Sequence, residues 1–290
     1  GCTLRLGDIV GAYFAGKKAT LDIDEIKDTY LLTLPLDMAA PPDDFPRIIV
    51  SAEPCDPECI RVTVCGDPLA SEPEVILSHP YYLPMASEDD NIWSGAAEYI
   101  GSAGFVEVAA TSESGSGRSL SPFEIYDTEW QGMSEYLSPT ARLNMSRTRD
   151  SFAGSGKFVI MESFAPAPAN GDLVLVADVW SLGFPDSIGP VRDIGFTITL
   201  PPGELDGLDI GEVHLYAWDQ KNRTWNLIPG GRSALTYNGY TQFGIRVDSA
   251  DYVSYTLFAP RSDDTIPPDP IAGFQAETGD SEHHINLRWT

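Results

Sequence analysis

Apolar residues recur at every second position along this chain, in short runs broken by turn-forming residues. Val213, Leu215 and Ala217 alternate with His214 and Tyr216, the period of a half-buried strand. The polar stretch Asp219-Gln-Lys-Asn222 follows, then Trp225, Leu227 and a closing Pro-Gly-Gly. Glu212–Pro229 is therefore predicted as a β-hairpin carrying two tryptophans. Thr241–Val247 and Tyr252–Phe258 predict a second pair of strands. Phe158–Met161, Leu173–Val179 and Gly195–Leu200 read as strands upstream. Leu173–Val179 is nearly all apolar, which predicts burial on both faces. Arg47–Ala52, Cys59–Cys65, Glu74–Ser78, Asn91–Tyr99 and Phe105–Ala110 recur at roughly ten-residue spacing, the rhythm of a sandwich. Asp22–Asp28 offers one weakly patterned helical turn, and no long amphipathic helix is present. The predicted fold is all-β, built of tandem antiparallel β-sandwich modules.

Four segments are expected. Residues 1–44 read as a partial or small β module, or as an extension packed on the next unit. Residues 45–126 read as one sandwich. Residues 127–262 read as a second, after the Ser/Gly-rich stretch Thr111–Ser121, which suits a loop or hairpin tip. Residues 263–290 read as a proline-stiffened linker, Asp263-Asp-Thr-Ile-Pro-Pro-Asp-Pro, running into two strands.

Three segments carry family resemblances. Val62-Thr-Val64, Glu72-Pro-Glu-Val-Ile-Leu77, Asn91-Ile-Trp-Ser-Gly95 and Gly104-Phe-Val-Glu-Val-Ala-Ala-Thr-Ser112 together resemble bacterial immunoglobulin-like modules. That resemblance implies that Trp93 packs into or against a core. Leu215-Tyr-Ala-Trp-Asp219, a turn, Trp225-Asn-Leu-Ile228 and Tyr255-Thr-Leu-Phe258 resemble ZU5-like and autoproteolysis-associated β domains. Those domains commonly place His-Phe-Ser before the closing strand. Asp251-Tyr-Val253 stands there in this chain, so imidazole base and hydroxyl nucleophile are both missing. Self-cleavage through an ester needs both and is not expected. Pro267-Pro-Asp-Pro270 and the strand ending at Trp289 resemble the start of a fibronectin type III domain, whose remainder would lie beyond Thr290.

Charge narrows the partners. Asp and Glu number 43 against 18 Lys and Arg, a formal charge of −25. No nucleic-acid partner is expected, because phosphate binding needs a basic face. No apolar run approaches the roughly 18 residues of a membrane span. The acidic surface suits a divalent cation or plain solvation. Asp263, Asp264 and Asp269 flank the linker and are candidate ligands for one calcium ion. A solvated acidic hinge is the alternative. Glu88-Asp-Asp-Asn91 is a second acidic loop.

The cysteines lie at 2, 55, 59 and 65. Cys55-Asp-Pro-Glu-Cys59 has no histidine partner and too few residues for a zinc knuckle. Disulfides in an oxidising compartment fit better. Cys59 and Cys65 share one strand, about 20 Å apart, and cannot bridge each other. Cys55 with Cys59, Cys2 with any of the others, and unpaired buried thiols all remain open.

Catalytic motifs fail one by one. Gly-x-Ser-x-Gly and His-Glu-x-x-His are absent, and the chain has four histidines. His283 and His284 are adjacent on a predicted strand and point to opposite faces. Gly154-Ser-Gly-Lys157 lacks the upstream glycine of a phosphate loop, and Phe158 replaces its Ser or Thr. Asn144-Met-Ser and Asn222-Arg-Thr fit the glycosylation sequon. The expected role is a non-catalytic structural or adhesive segment of a secreted or cell-surface multidomain protein. Its expected partners are neighbouring domains of the same chain and extracellular polysaccharide or protein. An accessory region of a secreted hydrolase is the alternative. Tyr81, Tyr82, Trp130, Tyr237 and Tyr240, expected in loops, are candidate carbohydrate contacts.

Overall fold

A computed structural model of the chain describes residues 46–261, apart from short internal stretches, together with 275–278 and 285–288. The alternating segments form strands, and every strand pairing is antiparallel. In chain order they are β1 (Ile48–Cys55), β2 (Cys59–Gly66), β3 (Glu74–Leu77), β4 (Tyr81–Leu83), β5 (Ala86–Asp89), β6 (Ile92–Glu98) and β7 (Ala103–Thr111). Then come β8 (Ser116–Asp127), β9 (Glu135–Leu137), β10 (Leu143–Arg147), β11 (Lys157–Ser163), β12 (Val174–Leu175), β13 (Val179–Gly183) and β14 (Arg192–Leu200). The last are β15 (His214–Asp219), β16 (Thr224–Leu227), β17 (Arg232–Tyr237), β18 (Tyr240–Ser249), β19 (Ser254–Ala259), β20 (Gln275–Thr278) and β21 (Ile285–Arg288). Among the described residues the only helical segments are two 3-10 turns, Asp186–Ile188 and Ile210–Glu212. The fold is all-β.

A ten-stranded sheet is the spine, ordered β16-β15-β19-β13-β11-β8-β7-β3-β4, with β12 alongside β19. On one face it meets a five-stranded sheet, β17-β18-β14-β10-β9. Their facing side chains build the larger core, including Phe158, Ile160, Trp180, Phe196, Phe243 and Leu257. On the other face the spine meets a four-stranded sheet, β1-β2-β6-β5. Val50, Val62, Val106, Phe123, Val159 and Met161 belong to that smaller core, with Trp93 packed against it.

The two covers are offset along the spine, and β11 lies under both. Phe158 and Ile160 enter the larger core while Val159 and Met161 enter the smaller one. After Lys157, every residue of β11 is buried. Beside it, β13 and β19 are buried throughout as well. The spine therefore runs across the boundary expected between residues 126 and 127. Pairing of β8 with β11, from Lys157↔Asp127 to Met161↔Phe123, carries it across.

Small side chains let β1 cross closely over the spine. A Cβ on Gly183 would stand 2.0 Å from the Ala52 carbonyl oxygen. Ser181 Oγ donates to the Val50 carbonyl at 3.1 Å and meets Ser254 Oγ at 2.8 Å. On the far side of this crossing Ile49, Cys65, Val179, Trp218, Trp225 and Phe258 form a third cluster.

The predicted hairpin is β15–β16. Asp219 Oδ1 accepts from the Asn222 backbone N–H at 3.0 Å and closes its turn. Trp218 and Trp225 are cross-strand partners, ring centroids 5.2 Å apart, and Trp225 Nε1 donates to the Pro168 carbonyl at 2.9 Å.

Two expectations need correction. Leu173–Val179 is not a strand buried on both faces. Val174 and Leu175 form the two-residue strand β12, Val179 already belongs to β13, and Leu175 is 38% exposed. Thr256 Oγ1 donates to the carbonyls of Ala177 and Asp178, holding the chain in a bend there. Thr111–Ser121 is a hairpin tip only over its first residues, where Ser112 N–H reaches the Gly115 carbonyl at 2.8 Å. From Ser116 onward it is strand, pairing with β7.

Cys55 and Cys59 are cross-strand partners on β1 and β2 and form a disulfide, while Cys65 is buried and free. Residues 1–44, the linker with Asp263, Asp264 and Asp269, and Trp130 lie outside the described residues. The C-terminal strands β20 and β21 pair with each other, Gln275↔Arg288 to Thr278↔Ile285.

Candidate functional site

The outer face of the five-stranded sheet follows from the alternation of β18. Thr241, Phe243, Ile245 and Val247 point into the larger core, which turns Tyr240, Gln242, Gly244, Arg246 and Asp248 outward. Strand register extends this face across the sheet. One row runs Asn144, Thr197, Gly244, Ser233. The next towards the hairpin tip runs Thr199, Gln242, Leu235, and the tip itself pairs Tyr240 with Tyr237. On the other side of the first row lie Ser146, Gly195 and Arg246.

Glycines sink the middle of this face. A Cβ on Gly195 would stand 2.5 Å from Ser146 Oγ, and one on Gly244 2.7 Å from Ser233 Oγ. The result is an open trough of about 510 Å³ lined by Ser146, Thr148, Gly195, Thr197, Ser233 and Gly244, a volume in the range of ligand sites. Arg147, Asp193, Arg232 and Arg246 complete its rim.

The rim charges have partners within the protein. Arg246 Nε pairs with Asp193 Oδ1 at 2.5 Å. Arg147 Nε donates to Tyr136 Oη at 2.8 Å, and its guanidinium lies 5.0 Å from the Phe152 ring centroid. Arg232 donates to the carbonyls of Val213 and Gly211. The trough is thus lined by hydroxyls and backbone. Beyond the trough, about 13 Å along β18 from Gly244, four residues at strand rise, the same face carries Tyr240, 51% exposed, beside Tyr237, 73%, and Leu235, 66%.

A second polar cluster closes one end of the larger core. Glu162 is fully buried on β11, with Trp180 as its cross-strand partner. Its Oε2 accepts from the Thr140 N–H at 3.2 Å and from Thr140 Oγ1 at 2.5 Å. Arg142 bridges Asp178 at 3.1 Å and Glu204 at 2.9 Å. Glu162 Oε1, Glu204 Oε2 and Trp180 Nε1 are buried with no hydrogen-bond partner. Burial raises the pKa of Glu162, against the opposing pull of the Thr140 bonds and the Arg142 charge. Burial first, then the neighbouring Glu162 charge, push Asp178 up to about 7, although 26% of its side chain meets solvent. Three carboxyls share one guanidinium, so the cluster holds protons more readily than exposed acids do.

The structure places the remaining candidates separately. Tyr82 lies on β4, 65% exposed, on a different sheet from Tyr237 and Tyr240. Tyr237 and Tyr240 are strand residues flanking a turn rather than loop residues. Glu88 and Asp89, expected in a second acidic loop, lie on β5, and Glu88 accepts from Ser94 Oγ. No His, Cys, Asp and Glu group among the described residues is arranged to hold a metal ion. His214 faces Glu212 at 3.2 Å on the surface. Burial pushes the Cys65 thiol up to about 12, which keeps it protonated and unreactive. Sequence reasoning missed the trough. Its only local signal was a glycine at an outward position of an alternating strand, Phe243-Gly-Ile245, matched by Ile194-Gly-Phe196 on the next strand.

These features define an all-β protein with two cores on one sheet and an open polar face. No family model, curated protein or solved structure matches the chain.

Proposed function

We propose that this chain is a non-catalytic structural and adhesive segment of a secreted or cell-surface multidomain protein. The observation that carries the reading is the burial of β11 in both cores. One strand joins two sandwich-like packings into a single load path, which suits a spacer that must keep its shape. The Cys55–Cys59 disulfide suits an oxidising, extracellular setting. A formal charge of −25 suits a solvated exterior that repels polyanions.

An accessory region of a secreted hydrolase is the second reading. The exposed tyrosines at the β17–β18 tip favour it, because such a region serves by holding an enzyme against its substrate. The sequence of the rest of the parent gene separates the two: an upstream catalytic domain selects the second.

The test pairs turnover with adhesion. Purified chain is incubated with peptide, ester and glycoside substrates, and separately with immobilised extracellular polysaccharides and matrix proteins. Retention without turnover is expected. Reproducible turnover abolished by one point substitution, or no retention on any surface, overturns the proposal.

A further inference from the structure

We propose that the outer face of the five-stranded sheet is a binding site for a neutral polysaccharide chain, lying along β18 from the Gly195–Gly244 trough to the Tyr237–Tyr240 pair. This rests on surface binding, which both readings above share, and assigns it a surface and a ligand class.

Two features of the face point to that class. Its floor is hydroxyl and backbone: Ser146, Thr197 and Ser233 line the trough, and the Ser146 and Ser233 hydroxyls lie over Gly195 and Gly244, where a larger residue would displace them. Such a surface gives and accepts hydrogen bonds in several directions, which suits the hydroxyls of a pyranose ring. At the far end, two phenol rings and Leu235 project into solvent. A pyranose presents apolar C–H patches between its hydroxyls, and a tyrosine matches that mixture, with an apolar ring face and a polar tip. Tyrosine also fixes only two side-chain torsions on binding, so ordering it costs little.

Length and charge select among sugars. Gly244 and Tyr240 are about 13 Å apart on one strand face, longer than a single ring, so the site takes a chain. Arg246 is neutralised by Asp193, and the other two rim guanidiniums are turned to protein acceptors. No uncompensated cation therefore draws a uronate or a sulfate into the trough. The chain's formal charge of −25 disfavours both at long range.

Affinity electrophoresis of the full 290-residue chain tests this, using native gels containing soluble β-glucan, mannan, starch or polygalacturonate. At least one neutral polysaccharide should retard the protein, and polygalacturonate should not. The double variant Tyr237→Ala/Tyr240→Ala should weaken retardation at least tenfold, as should Gly244→Val, which fills the trough. The tyrosines are exposed, so the double variant should keep the parent's unfolding midpoint and separates lost binding from lost folding.

Retardation that survives both variants overturns the site while leaving adhesion elsewhere intact. Binding to polygalacturonate alone overturns the neutral ligand class. No retardation in any gel overturns the site, whereas the adhesive reading fails only if immobilised matrix proteins also retain nothing. Self-association that the double variant abolishes, without polysaccharide binding, assigns the patch to a second copy and overturns the proposal.

Discussion

Val159 and Ile160 are neighbours on one strand and belong to two different hydrophobic cores. Alternation alone produces this, because successive side chains on β11 leave opposite faces of the spine. The consequence is mechanical and thermodynamic coupling. Ile160→Ala empties part of the larger core and Met161→Ala part of the smaller, each at about 2–5 kcal/mol. Both should lower the midpoint of the same calorimetric transition of residues 46–261. Two resolved transitions, each moved by one variant only, would contradict the shared strand.

Gly183 and Ala52 set how closely β1 approaches the spine. The atoms that a new Cβ would meet are the Ala52 carbonyl oxygen at 2.0 Å, Glu53 Cα at 2.6 Å and the Ala52 carbonyl carbon at 2.9 Å. All are backbone, so no rotamer change relieves the clash. Gly183→Ala should cost at least the about 1–3 kcal/mol typical of overpacking, read as a fall in the urea midpoint. A variant as stable as the parent would mean that β1 does not cross there.

Trp225 carries the hairpin. It is 5% exposed, with ring centroids 5.2 Å from Trp218 and 5.3 Å from Phe258, and its indole N–H meets the Pro168 carbonyl. Trp225→Ala should destabilise by about 3–5 kcal/mol. Trp225→Phe should keep part of the packing, orphan the Pro168 carbonyl and lose about 1–3 kcal/mol. Chemical denaturation ranks the two, and a Trp225→Phe variant as stable as the parent would exclude the indole hydrogen bond as a contributor.

The buried carboxyls give stability a defined slope with pH. Glu162 and Asp178 have folded pKa values above their ordinary 4.5 and 3.8. In the window from those values up to the raised ones, the folded state holds more protons than the unfolded state. Their contribution is fully present below the ordinary values and is lost as pH rises through the folded ones, about 7 for Asp178. Urea midpoints should therefore fall between pH 4 and 7 by more in the parent than in Glu162→Gln, whose amide oxygen still accepts from Thr140. Parallel pH profiles would show that Glu162 does not hold the proton.

The hairpin at Trp218–Trp225 was legible because all its determinants are local: alternation, a polar turn and two aromatics within eighteen residues, 212–229. The same holds for the all-β class and for most long strands, since a period of two reports burial of one face whatever the partner. The short strands β4, β5, β9, β10 and β17 were not legible, because they owe their extension to pairing with a neighbour. Arg232–Tyr237 shows this plainly, since most of its residues are exposed and its backbone pairs with β18.

Which faces meet was decided by tertiary structure alone. Phe158-Val-Ile-Met161 reads as an apolar run, and nothing in it says that its two sides serve separate cores. The spine crosses residues 126 and 127 because β8 pairs with a strand some thirty residues downstream, a long-range choice with no local sign. Glu162 sits between Met161 and Ser163 like any polar residue in an alternating strand, yet the five-stranded cover buries it among Thr140, Trp180 and Asp178. The trough needed the same step. Gly195 and Gly244 lie far apart in sequence, and only strand register sets them on adjoining strands of one face, where missing side chains become a shape.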